Sequence, residues 1–266
     1  MVEFVQKEKY TIEDLLHIMM LLRSPGGCPW DAEQTHTSIK KNLIEETYEV
    51  IEAINKDDKE LLCEELGDLL MQVVFHAQME EEAECFTFDD VCDGICKKLI
   101  IRHPHVFSTT EISGVDDVLT NWDAIKRKTK GQKTAGDSMA SVPRELPALM
   151  RGEKLQKKAA MVGFDWADVS GALDKIAEET QELKQAIENG DKENQFEELG
   201  DLLFSAVNVS RFIGCDAEEA LTAANDKFLS RFLKVESLAA ERGIDMSTSS
   251  LEELDKLWDE AKQMGM

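Results

Sequence analysis

Proline, aromatic residues and positive charge are all scarce in this 266-residue chain. It has five Pro and 15 Gly, and Phe, Trp and Tyr together make up only 6%. With Glu, Lys, Leu, Ala and Met abundant, long stretches carry no helix breaker, and the composition leans to helix. Thirty Lys and Arg face 54 Asp and Glu, a formal charge of −24. That deficit excludes a broad basic footprint for a nucleic-acid polymer or an anionic membrane surface. It permits a small anion held through a metal, because a cation must stand between carboxylates and phosphates. No apolar run approaches a membrane span, and Met1 to Tyr10 lack the apolar stretch of a signal peptide. The six cysteines, at 28, 63, 85, 92, 96 and 215, include no CxxC, and five of them lie in the first half. Reduced thiols in a cytoplasmic protein are the expectation. Hydrophobic residues still reach 42%, which excludes a disordered acidic chain.

Several familiar motifs are also missing. There is no GxxxxGK[ST] and no GxGxxG, so phosphate is not cradled by a glycine-rich loop. GxSxG and the kinase signatures are absent. The histidines (17, 36, 76, 103 and 105) all precede the midpoint.

What the chain does contain is itself, twice. Residues 42–74 align with 175–207 at a constant offset of 133, and seventeen of those 33 positions are identical. Chance would give about two. EELGDLL occurs at 64–70 and again at 197–203. With small shifts, Trp30-Asp31 matches Phe164-Asp165, Lys98 and Arg102 match Lys227 and Arg231, and Trp122-Asp123 matches Trp258-Asp259. Two copies of one domain are expected, over 11–126 and 147–262, with 127–146 as a flexible linker carrying the one Lys/Arg-rich patch.

Inside each copy the periodicity is helical. Leu66, Leu69, Leu70, Val73 and Val74 form one apolar stripe, and Leu43, Val50, Ile51 and Ile54 form another on the preceding helix. Segments 11–23, 88–101 and 115–127 also read as helices, with Thr11 and Thr87 as N-caps. No segment shows sustained strand alternation. The expected fold is all-α: two tandem bundles of four to five helices, with Asn55–Asp58 and Asn189–Asp191 as tight turns between antiparallel partners.

Acidic residues fall on the shoulders of these stripes. Glu46 and Glu49 flank Val50, while Glu65 and Asp68 flank Leu69. A short turn can bring the shoulders together, so four carboxylates meet at the rim of a core, where mutual repulsion calls for a cation. Hard carboxylate oxygens select Mg²⁺, with Mn²⁺ as a substitute. The second copy repeats the quartet as Glu179, Glu182, Glu198 and Asp201. Lys98 with Arg102, and Lys227 with Arg231, are i, i+4 pairs suited to phosphate oxygens that the metal does not reach. Trp122 and Trp258, or Trp30 and Trp166, are candidates to stack on a base. Lys175 stands one turn before Glu179, where the first copy has Asn42, so the second copy is expected to carry most of the turnover. Two other readings of the acids compete with this one. A di-iron carboxylate bundle needs paired ExxH, and the single Glu33–His36 does not supply it. A non-catalytic acidic helical scaffold would leave the acids merely solvated.

Glu45-Glu46-x-x-Glu49 with Glu65-x-x-Asp68, and Glu178-Glu179-x-x-Glu182 with Glu198-x-x-Asp201, resemble the MazG family of nucleoside triphosphate pyrophosphohydrolases. CPWD at 28–31, RHPHVF at 102–107 and VGFDW at 162–166 extend the likeness to the long, two-domain bacterial form. The resemblance implies an all-α homodimer that cleaves nucleoside triphosphates between the α and β phosphates with Mg²⁺. It further implies broad base tolerance, a housecleaning role against non-standard nucleotides and a link to nutritional stress. Carried onto this chain, metal ligation falls to the two quartets and catalysis to Glu178 and the second quartet. Nucleotide contacts fall to Lys175, Glu197, Lys227, Arg231 and Trp258, with Lys98, Arg102 and Trp122 in the first copy. Glu45 or Glu178 is a candidate to take a proton from water.

Overall fold

The computed structural model describes residues 4–108 and 131–264, with Gly114, Val118, Trp122, Ile125 and Thr129 between them. Among the described residues it is all-α, without a strand. The chain divides into two compact units, Met1–Lys126 and Arg127–Met266. The helix expected over 115–127 lies largely outside the described residues, although Val118, Trp122 and Ile125 are helical.

Unit 1 contains α1 (Ile12–Arg23), α2 (Pro29–Glu33), α3 (Lys40–Asn55), α4 (Lys59–Glu82), α5 (Phe88–Arg102) and α6 (Pro104–Phe107). Asp14 accepts from the Thr11 amide at 3.0 Å, and Asp90 accepts from the Thr87 amide at 2.9 Å, so α1 and α5 begin where capping boxes place them. Helices α3 and α4 make the most extensive pairing in the unit. Met19, Ile39, Val74, Phe75 and Met79 form the core beneath them, with Leu15, Leu16, Met71 and Phe88 packed around it. Arg23 clasps this end: it forks onto Glu82 with two bonds of 2.8 Å and donates to the Asp31 carbonyl at 2.5 Å. His36 ties the loop before α3 to α4, with Nδ1 at 2.7 Å from His76 Nδ1 and Nε2 at 2.7 Å from Glu80.

Unit 2 contains α7 (Ala135–Ala140), α8 (Ala148–Ala160), α9 (Val169–Asn189), α10 (Lys192–Phe212), α11 (Ala217–Glu241) and α12 (Leu251–Gln263). The α9–α10 pairing repeats α3–α4, and α11 and α12 enclose Val235, Leu238, Ala239, Leu257 and Ala261. Part of the stretch expected to be linker is built into this unit. Thr134 caps α7 by accepting from the Asp137 amide at 3.0 Å, and Ser138, 2% exposed, accepts from Lys158 at 2.6 Å. A six-residue helix is too short to show hydrophobic periodicity in the sequence.

The two paired hairpins are built alike down to the turn. Ala53 and Ala186 occupy matching positions, and both are fully buried where the helices approach. The Asp58 and Asp191 amides reach back to the carbonyls of Ala53 and Ala186, each at 3.1 Å. That closes a Schellman-type turn, and Asp57 (φ +50°) and Gly190 (φ +70°) hold the left-handed position it requires. Asp58 then caps α4 by accepting from the Glu60 and Leu61 amides.

The apolar stripes do not behave as expected. Only Val74 of its stripe is fully buried; Leu66, Leu70 and Val73, with Ile51 and Ile54 on α3, remain exposed. Periodicity marks a face that seeks a partner but does not say that the partner lies in the same unit.

Candidate metal and nucleotide site

The turn residue fixes which acids meet. Glu49 and Glu65 stand eight residues either side of Asp57, and Glu46 and Asp68 stand eleven either side. Folding the chain back there pairs Glu49 with Glu65 and Glu46 with Asp68. The electrostatics follow that pairing. Burial, and then the charge of Asp68, pushes the Glu46 carboxyl above its ordinary range. Burial, and then the charge of Glu49, does the same to Glu65. Glu46, Glu49 and Glu65 can each turn an oxygen to within 4.8 Å of the others.

Gly190 organises the second quartet by the same count, with Glu182 and Glu198 eight residues away and Glu179 and Asp201 eleven. Two triads share Glu179 there: Glu178, Glu179 and Glu182, and Glu179, Glu198 and Asp201, each with oxygens within 4.8 Å. Glu198 is pushed up by burial first and by Glu182 next. Glu179 is only 2% exposed, and its Oε2 is buried without a hydrogen-bond partner. An orphaned buried carboxylate oxygen facing three other acids is a strong physical argument for a cation. The donor set is all oxygen, so the residues fit a hard divalent ion. Among the described residues, the acid clusters able to hold a metal are these.

The two quartets differ in how the buried acid is balanced. In unit 1, Gln72, 4% exposed, donates to Glu46 at 3.4 Å. In unit 2 the ammonium of Lys175 pairs with Glu178 at 2.9 Å and also with Glu179. Those hydrogen bonds, to Glu179 above all, hold Lys175 protonated well above the usual lysine range. Asn42, at the matching place, carries no charge to offer.

The other expected contacts lie on separate helices. Lys98 and Arg102 are on α5, and Lys227 and Arg231 are on α11. Each arginine stacks over a tryptophan of the same unit: Arg102 lies 5.5 Å over Trp122, and Arg231 lies 5.9 Å over Trp258. Trp258 also packs on the α11–α12 core. Glu197 and Glu45 are exposed next to their quartets, as is Glu178. His36, the histidine of the single ExxH, is engaged with His76 and Glu80.

This all-α chain, with an acid cluster on each paired hairpin, belongs to a family of nucleotide pyrophosphohydrolases. Residues 34–107 and 169–235 match the sequence model described as the MazG nucleotide pyrophosphohydrolase domain. The chain is 46% identical over 257 residues to the nucleoside triphosphate pyrophosphohydrolase of Escherichia coli K12, covering 95% of this chain and 97% of that one. It is 45% identical over 250 residues to the nucleoside triphosphate pyrophosphohydrolase/pyrophosphatase MazG of Thermotoga maritima, covering 94% and 95%.

Proposed function

We propose that this protein hydrolyses nucleoside triphosphates to nucleoside monophosphate and pyrophosphate, using Mg²⁺ held by its carboxylate quartets. The observation that carries the reading is Glu179: a buried carboxylate with an unpartnered oxygen, at the centre of four acids in a family of pyrophosphohydrolases. Bound there, Mg²⁺ supplies Lewis-acid stabilisation of the phosphate oxygens and makes water easier to deprotonate. The chain's own residues do the rest. Glu179, Glu182, Glu198 and Asp201 would hold the ion, and Glu178, exposed on the rim, would take a proton from water. Lys175 is within reach of the same rim and is assigned to the polyphosphate once it leaves the carboxylates, with Lys227, Arg231 and Trp258 as further nucleotide contacts. Glu46, Glu49, Glu65 and Asp68, with Lys98, Arg102 and Trp122, form the weaker counterpart in unit 1.

The exposed stripes on α3 and α4 support a homodimer, since apolar faces of this extent are covered when a second copy packs on them. Broad base tolerance, a role in clearing non-standard nucleotides under stress and a cytoplasmic setting complete the proposal. None of the helices is long and apolar enough to cross a membrane among the described residues. The test is product analysis with mixed nucleoside triphosphates and Mg²⁺. Monophosphate and pyrophosphate are expected, whereas diphosphate with orthophosphate overturns the reading.

A further inference from the structure

We propose that His36, His76 and Glu80 form a proton-operated latch that holds the 34–39 segment on α4 at neutral pH and releases it in acid. The segment leads into α3, whose N-cap position is taken by Ile39, a residue with no side-chain acceptor for the first turn. Bonds among Gln34, Thr35 and Ser38 give the segment its local shape, and Ile39, 2% exposed, seats its end in the core. His36 ties it to α4 through His76 and Glu80.

The partners fix the tautomers. Glu80 accepts at 2.7 Å from His36 Nε2, so that nitrogen carries hydrogen. His36 Nδ1 is then an acceptor, and the hydrogen in its 2.7 Å contact with His76 Nδ1 belongs to His76. That leaves His76 Nε2 bare, and this is the atom buried without a partner. The neutral pair therefore leaves no N–H unused. An added proton breaks the arrangement wherever it enters. On His36 it makes both ring nitrogens donors, and His76 must move its own hydrogen to Nε2. On His76 it lands on Nε2 directly. Either way an N–H points where neither protein nor solvent accepts it. A second proton sets two cationic rings face to face, parallel and 5.0 Å apart.

The His36 side chain is 48% exposed, so protons reach it. Around the pair, α4 presents Glu80, and the turn after α4 presents Cys85, whose thiol hydrogen-bonds Glu80 and is held above its ordinary range. Leu43 of α3, Val91 of α5 and Phe86 before it are apolar. Arg23 of α1 and Glu82 are bonded to each other. Burial first, and His36 next, hold the His76 imidazole below its ordinary 6.5. Below that value the unfolded chain binds protons that the folded pair refuses, so the contact loses stability as pH falls.

The duplication supplies an internal control. All five histidines lie in unit 1. At the offset of 133, His36, His76 and Glu80 correspond to Val169, Val209 and Ile213. Val169 already belongs to α9, which Asp168 caps by accepting from the Ser170 amide. One copy enters its hairpin through a capped helix, the other through a segment pinned by histidines.

The test is amide hydrogen exchange of the full chain at about pH 8 and about pH 5, corrected for intrinsic rates. Peptides covering 34–39 should lose about tenfold in protection in acid, while those covering 167–172 hold theirs. His76→Asn keeps a donor at the place of Nδ1 and can turn its amide oxygen to a protonated His36, so in this variant the loss should disappear. Equal protection of 34–39 at both pH values, the same loss over 167–172, or the same loss in folded His76→Asn overturns the latch. On the unmodified protein, nitrogen-15 spectra should show His76 as the Nδ1–H tautomer at about pH 8, with its titration tracking the loss of protection. An Nε2–H tautomer there overturns the proposal whether or not the variant folds.

Discussion

The Lys175 ammonium is seated on the carboxylate of Glu179, one helical turn further along α9, and Asn42 cannot repeat that contact with Glu46. Without metal, Lys175 therefore acts as a tethered counter-ion inside the second quartet. Lys175→Met should tighten Mn²⁺ binding to unit 2 several-fold in the absence of nucleotide, because the ion no longer competes with an ammonium. The same variant should lose about a hundredfold in pyrophosphate release, since a cation aimed at the polyphosphate is gone. Paramagnetic titration reads the first effect; weaker Mn²⁺ binding would refute the counter-ion role.

The same asymmetry predicts which unit works. Glu182→Ala should abolish nearly all pyrophosphate release, and Glu49→Ala should leave most of it. Both variants need to be shown folded by circular dichroism. An inactive Glu49→Ala beside an active Glu182→Ala would transfer the catalytic role to unit 1.

Metal should stabilise the protein in a pH-dependent way. Burial first, and neighbouring carboxylates second, hold Glu46, Glu65 and Glu198 above the ordinary 4.5. Between that value and the raised ones, the folded chain keeps protons that the unfolded chain has released, so these groups cost stability as pH rises. A divalent ion displaces those protons. The Mg²⁺-induced gain in Tm should thus be small near about pH 5 and grow to several degrees near about pH 8. A gain that is flat with pH, or no gain, would count against the quartets as metal sites.

Gly171→Ala tests the packing of Trp166 against α9. The added methyl would meet the indole at 2.7 Å, so the ring must move away from α9. Overpacking of this kind costs about 1–3 kcal/mol. Urea unfolding should show a lower midpoint with an unchanged slope, and the Trp166 indole signal should shift. A wild-type midpoint would mean that the ring gives way freely.

Much of this is legible in the amino-acid sequence. The offset of 133 exposed the duplication, and carboxylates three apart on adjacent helices announced the quartets. Tight turns at Asn55–Asp58 and Asn189–Asp191 were readable from Asn, Asp and Gly. Other features depend on contacts that local pattern does not encode. The stripe through Leu66, Leu70 and Val73 showed which side is apolar, not what would cover it. The Arg211–Asp165 pair joins residues 46 apart, and the His36–His76 contact joins residues 40 apart.

The equal arms on either side of Asp57 and Gly190 have one more consequence. Each quartet is spelled by number as well as by letter: eight and eleven steps out from a left-handed residue, in both directions. One alanine inserted between Ile51 and Glu52 would leave every acid, the net charge and the helix propensity of α3 in place. It would lengthen one arm alone, and since a helix advances about 100° per residue, Glu46 and Glu49 would swing away from Glu65 and Asp68. In a hairpin of this kind, a miscount by one is as damaging to the site as a lost carboxylate.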